Sequence, residues 1–313
     1  AFVPPVNLKL PTFARQEHKR GTRNPFDTIP LCLERLAQAY QKLLSENPKA
    51  EGHLRAIAAM LRVAGEQDGD ALLAATVTCR LGAALLRHEL ATAVLATLVA
   101  IDLKLPQPEL TTLVLAALTR DIALAHVWDE WSNKGFRLAE TEQFIEELHP
   151  ASSKAVLETA GIRDPAWLAC VLEHSTPPAS NWKARWLHTL DRYLSLLWHN
   201  APQWVGQGLT PQRVQQLASV VDPELGTVFI RMLGIIPPGM GVKLANGEEG
   251  IVLRRGARTG FPQVLCLRGS LAISPSAPLL RTCDADKFRV VQAFAQEWKD
   301  WPLHKPASHW GIA

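Results

Sequence analysis

Among the histidines and acidic residues of this chain, His88, Asp121, His149, His174 and Asp191 are candidates to hold a divalent metal. Neutral imidazoles and carboxylates suit such an ion, and an ion so held can activate water against a phosphate, so the chemistry in question is metal-dependent phosphate hydrolysis, with Asp121 as the residue closest to the reaction. The separations between the five allow a helical bundle to bring them together. Arg120, beside Asp121, does not fit, because a guanidinium stays protonated and cannot ligate a metal.

The elements that must position these residues are mostly helical. Residues 1 to about 27 carry Pro4, Pro5, Pro11, Gly21 and Pro25 and suggest an extended arm. Helical periodicity then predicts a helix after Pro30 that stops before Pro48, and a second from His53 to Ala64 that ends at Gly65. A third, over Asp70 to Leu86, has Asp68 or Asp70 as a cap, and Arg87 to Leu103 continues it or follows a short break. Pro108 opens a helix over Glu109 to Ala125, which would carry Arg120-Asp121 near its end. A short helix leads into His149-Pro150, placing His149 at the mouth of a helix from Pro150 to Thr159 that Gly161 ends. Asp164-Pro165 starts another, running to His174, and Trp182 to Trp198 carries Asp191. Pro211 to Ser219 and Pro223 to Leu233 add two more. Beyond these the period changes. Val242-Lys243-Leu244 and Ile251-Val252-Leu253 flank the hairpin dipeptide Asn246-Gly247, with Val264 to Leu267 as a third strand. Pro275 and Pro278 suggest a linker, and Asp286 to Trp298 a last helix. The expected fold is therefore mostly α, with an N-terminal helical region (1–79), a helical bundle (80–232), a small antiparallel β subdomain (233–273) and a C-terminal linker, helix and tail (274–313).

From about residue 80 to residue 273 the chain resembles the HD-GYP subgroup of HD-domain phosphohydrolases, whose active members hydrolyse cyclic di-GMP at a centre of two or three metals. His88 sits at the place of the family's first ligand. Ala117-Leu118-Thr119-Arg120-Asp121-Ile122-Ala123 lies over a segment that would read ALLHDIG, so the aspartate is kept and the histidine lost. His149-Pro150 matches a His-Pro pair, and Val171-Leu172-Glu173-His174 matches a segment ending in two histidines, the second of which is Ser175 here. Leu190-Asp191-Arg192-Tyr193 matches the late aspartate. Leu233-Gly234-Ile235-Ile236-Pro237-Pro238-Gly239, with Leu244-Ala245-Asn246-Gly247-Glu248, is similar to the family's terminal segment. No Gly-Tyr-Pro stands between His174 and Asp191. The resemblance implies an HD-domain-like bundle whose metal set is broken at Arg120 and Ser175. It also implies that Asp121, His149 and His174 are the ligands of one remaining metal.

Two functions follow as expectations. The first is a degenerate, catalytically inactive module in bacterial, cyclic-dinucleotide-related signalling, which binds a partner protein or a nucleotide and carries no cofactor. The alternative is a metal-dependent phosphohydrolase using one divalent metal (Mn, Fe or Mg). His188, one turn before Asp191, is a possible replacement ligand. Trp128 with Trp131 and Trp182 with Trp186, at helical spacing, suggest core. The charge balance of 33 basic against 30 acidic residues gives no nucleic-acid signature. Basic residues gather at Arg15, Lys19, Arg20 and Arg23 and again at Arg254, Arg255 and Arg258, as a solvated surface or an anion contact. Five scattered cysteines without a C-x-x-C pair argue against a zinc knuckle or disulfide framework and for a reducing cytoplasm. Neither a secretory signal nor a transmembrane segment is expected: Leu81 to Leu103, the most apolar stretch, is broken by Arg87, His88, Glu89 and Asp102.

Overall fold

The structure, a computed structural model, describes residues 24–134, 138–198, 210–215, 222–256, 258–269, 278–284 and 286–294, with 307 and 310. Most of the arm expected over residues 1–27, with Arg15, Lys19, Arg20 and Arg23, lies outside these. The chain is mostly helical with a five-stranded antiparallel sheet near its C-terminal end, and it divides into two compact units. One comprises Thr28–Val63 and Arg80–Leu194. The other comprises Ala64–Cys79, the chain from Ser195 onward and the segment ending at Asp27.

In the first unit, α1 (Pro25–Leu44) starts earlier than the periodicity suggests. Asn24 caps it, its Oδ1 accepting from Phe26 N at 2.8 Å, and Pro25 takes the first helical position. Pro30 lies inside the helix, where it forfeits one backbone bond, but Ile29, Leu33, Leu36, Tyr40 and Leu43 bury the helix along one face. Nor does Gly65 end α2 (Ala50–Thr78). The interruption comes at Asp68, whose φ of −156° and ψ of 92° are non-helical and whose Oδ1 accepts from Ala71 N at 3.0 Å, so the expected Asp68 cap is present.

The central helix is α3 (Ala84–Asp102), buried almost all round and packed against α4 (Gln107–Ala117) and α5 (Trp128–Asn133). By length and hydropathy it could cross a membrane, yet 78% of its most apolar window is buried inside the protein. A helix apolar on every face belongs to a core as readily as to a bilayer. α6 (Glu140–Thr159) is continuous through His149-Pro150, contrary to the expected break, and ends in a Schellman turn at Gly161, where φ is +93°. α7 (Pro165–Glu173) is capped by Asp164, which accepts from Ala166 N and Trp167 N. α8 (Trp182–Trp198) has the expected bounds. Trp128, Trp131 and Trp186 are buried, as core aromatics should be.

In the second unit, residues 211–215 are helical and α9 (Pro223–Leu233) is capped by Asp222. The sheet has the order β4-β3-β2-β1-β5, from β1 (Gly241–Leu244), β2 (Glu249–Arg254), β3 (Gln263–Arg268), β4 (Leu279–Thr282) and β5 (Val290–Phe294). The hairpin at Asn246-Gly247 and the three expected strands are present. The last two strands were not foreseen, and β5 falls where a helix was expected. Val290 and Val291 are β-branched, and the free edge of β1 supplies the ladder that favours them extended. The last four residues of the expected helix, 295–298, lie outside the described residues.

Ala71 and Ala74 of α2 join Ile251, Leu253, Leu267 and Trp310 in one apolar cluster. Arg254 forks onto Asp68 at 2.9 and 2.8 Å, and Arg255 donates to Asp70. Two of the three arginines suggested as a solvated or anion-binding surface are therefore spent on internal ion pairs. Gly239 lies against this same helix, its φ is +92°, and a Cβ there would stand 2.8 Å from Ala74 Cα and 2.9 Å from Val77 Cβ. Gly239→Ala should accordingly cost about 3 kcal/mol from combined strain and overpacking. A urea unfolding curve within about 0.5 kcal/mol of wild type would refute this close packing.

Candidate metal centre

The residues that converge belong to the first unit and come from α3, the turn after α4, α6, α7 and α8. Arg120-Asp121 does not lie in a helix. α4 stops at Ala117, and Asp121 adopts φ −107°, ψ 18° before a 3-10 turn, Ile122–Leu124. Long-range hydrogen bonds hold this turn. Tyr40 OH donates to Leu118 O (3.2 Å), Trp167 Nε1 to Thr119 Oγ1 (2.9 Å), Asp121 N to Glu89 Oε1 (3.0 Å) and Ala123 N to Ser153 Oγ (3.1 Å). With so many anchors the direction of the Asp121 carboxylate is set by the fold.

The two oxygens of that carboxylate serve different neighbours. Oδ2 accepts from Arg120 Nε at 3.1 Å, while Oδ1 lies 3.2 Å from His149 Nε2 and 3.1 Å from His174 Nε2. The two imidazole nitrogens are themselves 3.1 Å apart. Each ring turns its Nδ1 to a backbone carbonyl, His149 to Glu146 O and His174 to Val171 O. For His149 the cause is local: Pro150 has no N–H, so the Glu146 carbonyl loses its helical donor and takes the imidazole instead. A carbonyl only accepts, so each ring carries a proton on Nδ1; the neutral ring presents a bare Nε2, and only an imidazolium donates from Nε2 to Asp121. Asp121 Oδ1 and the two Nε2 atoms thus form a triangle of acceptors, and these three residues group as a potential metal site.

On the other side of Asp121, Arg120 is fully buried. Its Nη2 donates to Asp191 Oδ1 at 2.8 Å, and the same oxygen lies 2.6 Å from His88 Nε2. Asp191 therefore meets Arg120, and His88 meets Asp191, away from the triangle, so the five candidate residues form two groups linked through the Arg120–Asp121 pair. Burial opposes ionisation of Asp121 and Asp191, but the guanidinium charge and the histidine hydrogen bonds prevail and hold both carboxyls well below their ordinary range. Burial likewise disfavours charge on Arg120, and its carboxylate neighbours more than restore it. Burial also works against protonation of His149, which the Asp121 hydrogen bond and charge outweigh, raising its pKa.

Glu89 was missed as a site residue. It is completely buried, it orients Asp121 N–H, and desolvation drives its carboxyl well above the ordinary value against the pull of Arg120. Among the described residues, Glu89 Oε2 and Arg120 Nη1 have no hydrogen-bond partner. The signal was an acidic residue directly after His88 in an otherwise apolar helix. His188 does not join the triangle: its Nδ1 donates to His174 O at 3.0 Å, and burial lowers its pKa. Ser175 does approach, with Oγ 3.3 Å from His174 Nε2.

With Glu89 pushed toward its neutral form, two ionised carboxylates face one guanidinium, and the remaining negative charge beside the histidine pair is met by a proton on His149 or by a cation in its place. A buried arrangement of this kind calls for a cation. The spacing suits one: donors about 2.1–2.2 Å from a six-coordinate divalent ion stand about 3.0–3.1 Å apart at neighbouring positions. Compared with family models, curated proteins and solved structures, the chain gives no match.

Proposed function

We propose that this chain is a degenerate HD-GYP-type module, catalytically inactive, which acts in bacterial, cyclic-dinucleotide-related signalling in the cytoplasm by binding a nucleotide or a partner protein. The observation that carries this reading is Arg120. A two-metal hydrolytic centre on this scaffold would hold a second cation beside Asp121, and the guanidinium, buried and bound to Asp121 and Asp191, fills that place with a charge that cannot polarise water as a metal does. The resemblance in residues 80–273 supplies the family and the nucleotide class. With Mn²⁺ or Fe²⁺ added, the purified protein is expected to leave cyclic di-GMP intact; linearisation at enzyme-like turnover would overturn the proposal.

One observation favours a second reading, a phosphohydrolase with a single metal: the triangle of Asp121 Oδ1, His149 Nε2 and His174 Nε2 fits one divalent ion. Bound there, such an ion would supply Lewis acidity toward a phosphoryl oxygen. The residues' own part is to hold their donors in place: Glu146 O and Val171 O set the imidazole tautomers, and Glu89 fixes the backbone of Asp121. The first reading carries no cofactor and the second needs one bound ion, so the two differ in metal content and in turnover.

A further inference from the structure

Resting on that metal-binding site, we propose that Ser175 supplies a fourth protein donor to its ion, through Oγ. The side chain follows directly on His174, which caps the C-terminal end of α7, and it is half-buried. Its Oγ stands 3.3 Å from His174 Nε2, on the same nitrogen that His149 Nε2 and Asp121 Oδ1 approach at 3.1 Å. Three potential ligand atoms therefore gather around the lone pair of a fourth, His174 Nε2. Of the three neighbours of that lone pair, the carboxylate carries no proton, and the His149 ring keeps its proton on Nδ1. The serine hydroxyl has a hydrogen to give whatever the charge of His149.

Without an ion, Ser175 donates to His174 Nε2. When an ion takes the His174 lone pair, the hydroxyl loses its acceptor and its oxygen is left at the spacing of a neighbouring ligand. It can then turn its own lone pairs inward without adding charge to the site. The donor set becomes two imidazole nitrogens, one carboxylate oxygen and one neutral hydroxyl oxygen, which suits Mn²⁺, Fe²⁺ or Mg²⁺ better than a soft, thiophilic ion. Two of six positions then remain for solvent or an anionic ligand.

The test uses the full chain and Mn²⁺ alone. Affinity is measured from the electron paramagnetic resonance of free Mn²⁺, and the number of inner-sphere waters from water-proton relaxation. Ser175→Ala is expected to weaken Mn²⁺ binding about tenfold and to admit one additional inner-sphere water, while Ser175→Thr, which keeps the hydroxyl, retains the wild-type values. A serine that merely braced His174 would change the affinity without changing the water count. If wild type binds Mn²⁺ and Ser175→Ala shows the same water number, the serine is not a ligand and the three-residue site stands. If wild type binds no Mn²⁺, the metal reading falls and the serine's role falls with it.

Discussion

Arg120→Met is expected to destabilise the protein by about 3–5 kcal/mol at pH 7, the cost of leaving buried carboxylates without their cation. Arg120 is entirely buried and serves two acids at once, Asp121 through Nε and Asp191 through Nη2. Methionine fills much of the volume, so the loss is electrostatic in origin and should depend on pH. In the wild type both carboxyls are held below their ordinary value, so their contribution is present above about pH 4 and is lost as pH falls through the folded-state values. In the variant, burial without a counter-charge raises them instead, and the folded form regains stability as they protonate. The gap between the two proteins is thus widest near neutrality and narrows toward pH 4. Chemical unfolding at pH 7.5 and pH 4.5 measures it; a constant gap, or one below about 1 kcal/mol, would show that the guanidinium is not the counter-ion of this cluster. Arg120→His makes a useful contrast. It removes the fixed charge and adds a donor beside His88, Asp121 and Asp191, so added Mn²⁺ should raise its melting temperature more than that of wild type.

His149→Ala should remove metal binding while leaving the fold intact. On the single-metal reading, wild-type protein purified anaerobically holds about one divalent ion per chain, and the variant binds at least about a hundredfold more weakly. The reason lies in the two ends of the imidazole. Nδ1 is tied to the Glu146 carbonyl that Pro150 leaves free, and this turns the bare Nε2 onto Asp121 Oδ1 and His174 Nε2. Deleting the ring removes one corner of the triangle. It costs the fold little, because Glu146 is exposed and water can serve its carbonyl. Metal analysis with circular dichroism separates the two effects. Unchanged metal content in the variant would place the ion elsewhere, and metal-free wild type would remove the single-metal reading altogether.

Local signals were legible in the sequence wherever a few neighbouring residues decide the outcome. Asp68 and Asp164 act as caps, Gly161 ends α6, Asn246-Gly247 turns the hairpin, and the bounds of α8 and α9 follow from periodicity and proline. Where a local rule failed, a long-range contact had outweighed it. Gly65 did not stop α2, because Leu54, Ile57 and Leu61 were already buried on its core face. Val290–Phe294 became a strand because β1 offered an open edge.

By itself, then, the sequence determined the mostly helical character and the hairpin, through backbone geometry and side-chain chemistry over a few residues, while its resemblance to a family marked the residues that could ligate or block a metal. Only the tertiary structure decided how those residues are shared out. It put Arg120-Asp121 in an anchored turn instead of a helix, pointed one Asp121 oxygen at the histidines and the other at the guanidinium, and drew His88 and Asp191 to Arg120. It also brought in Glu89, which no spacing had marked. Burial and the direction of a carboxylate are set by partners dozens of residues away, and a linear pattern does not record them.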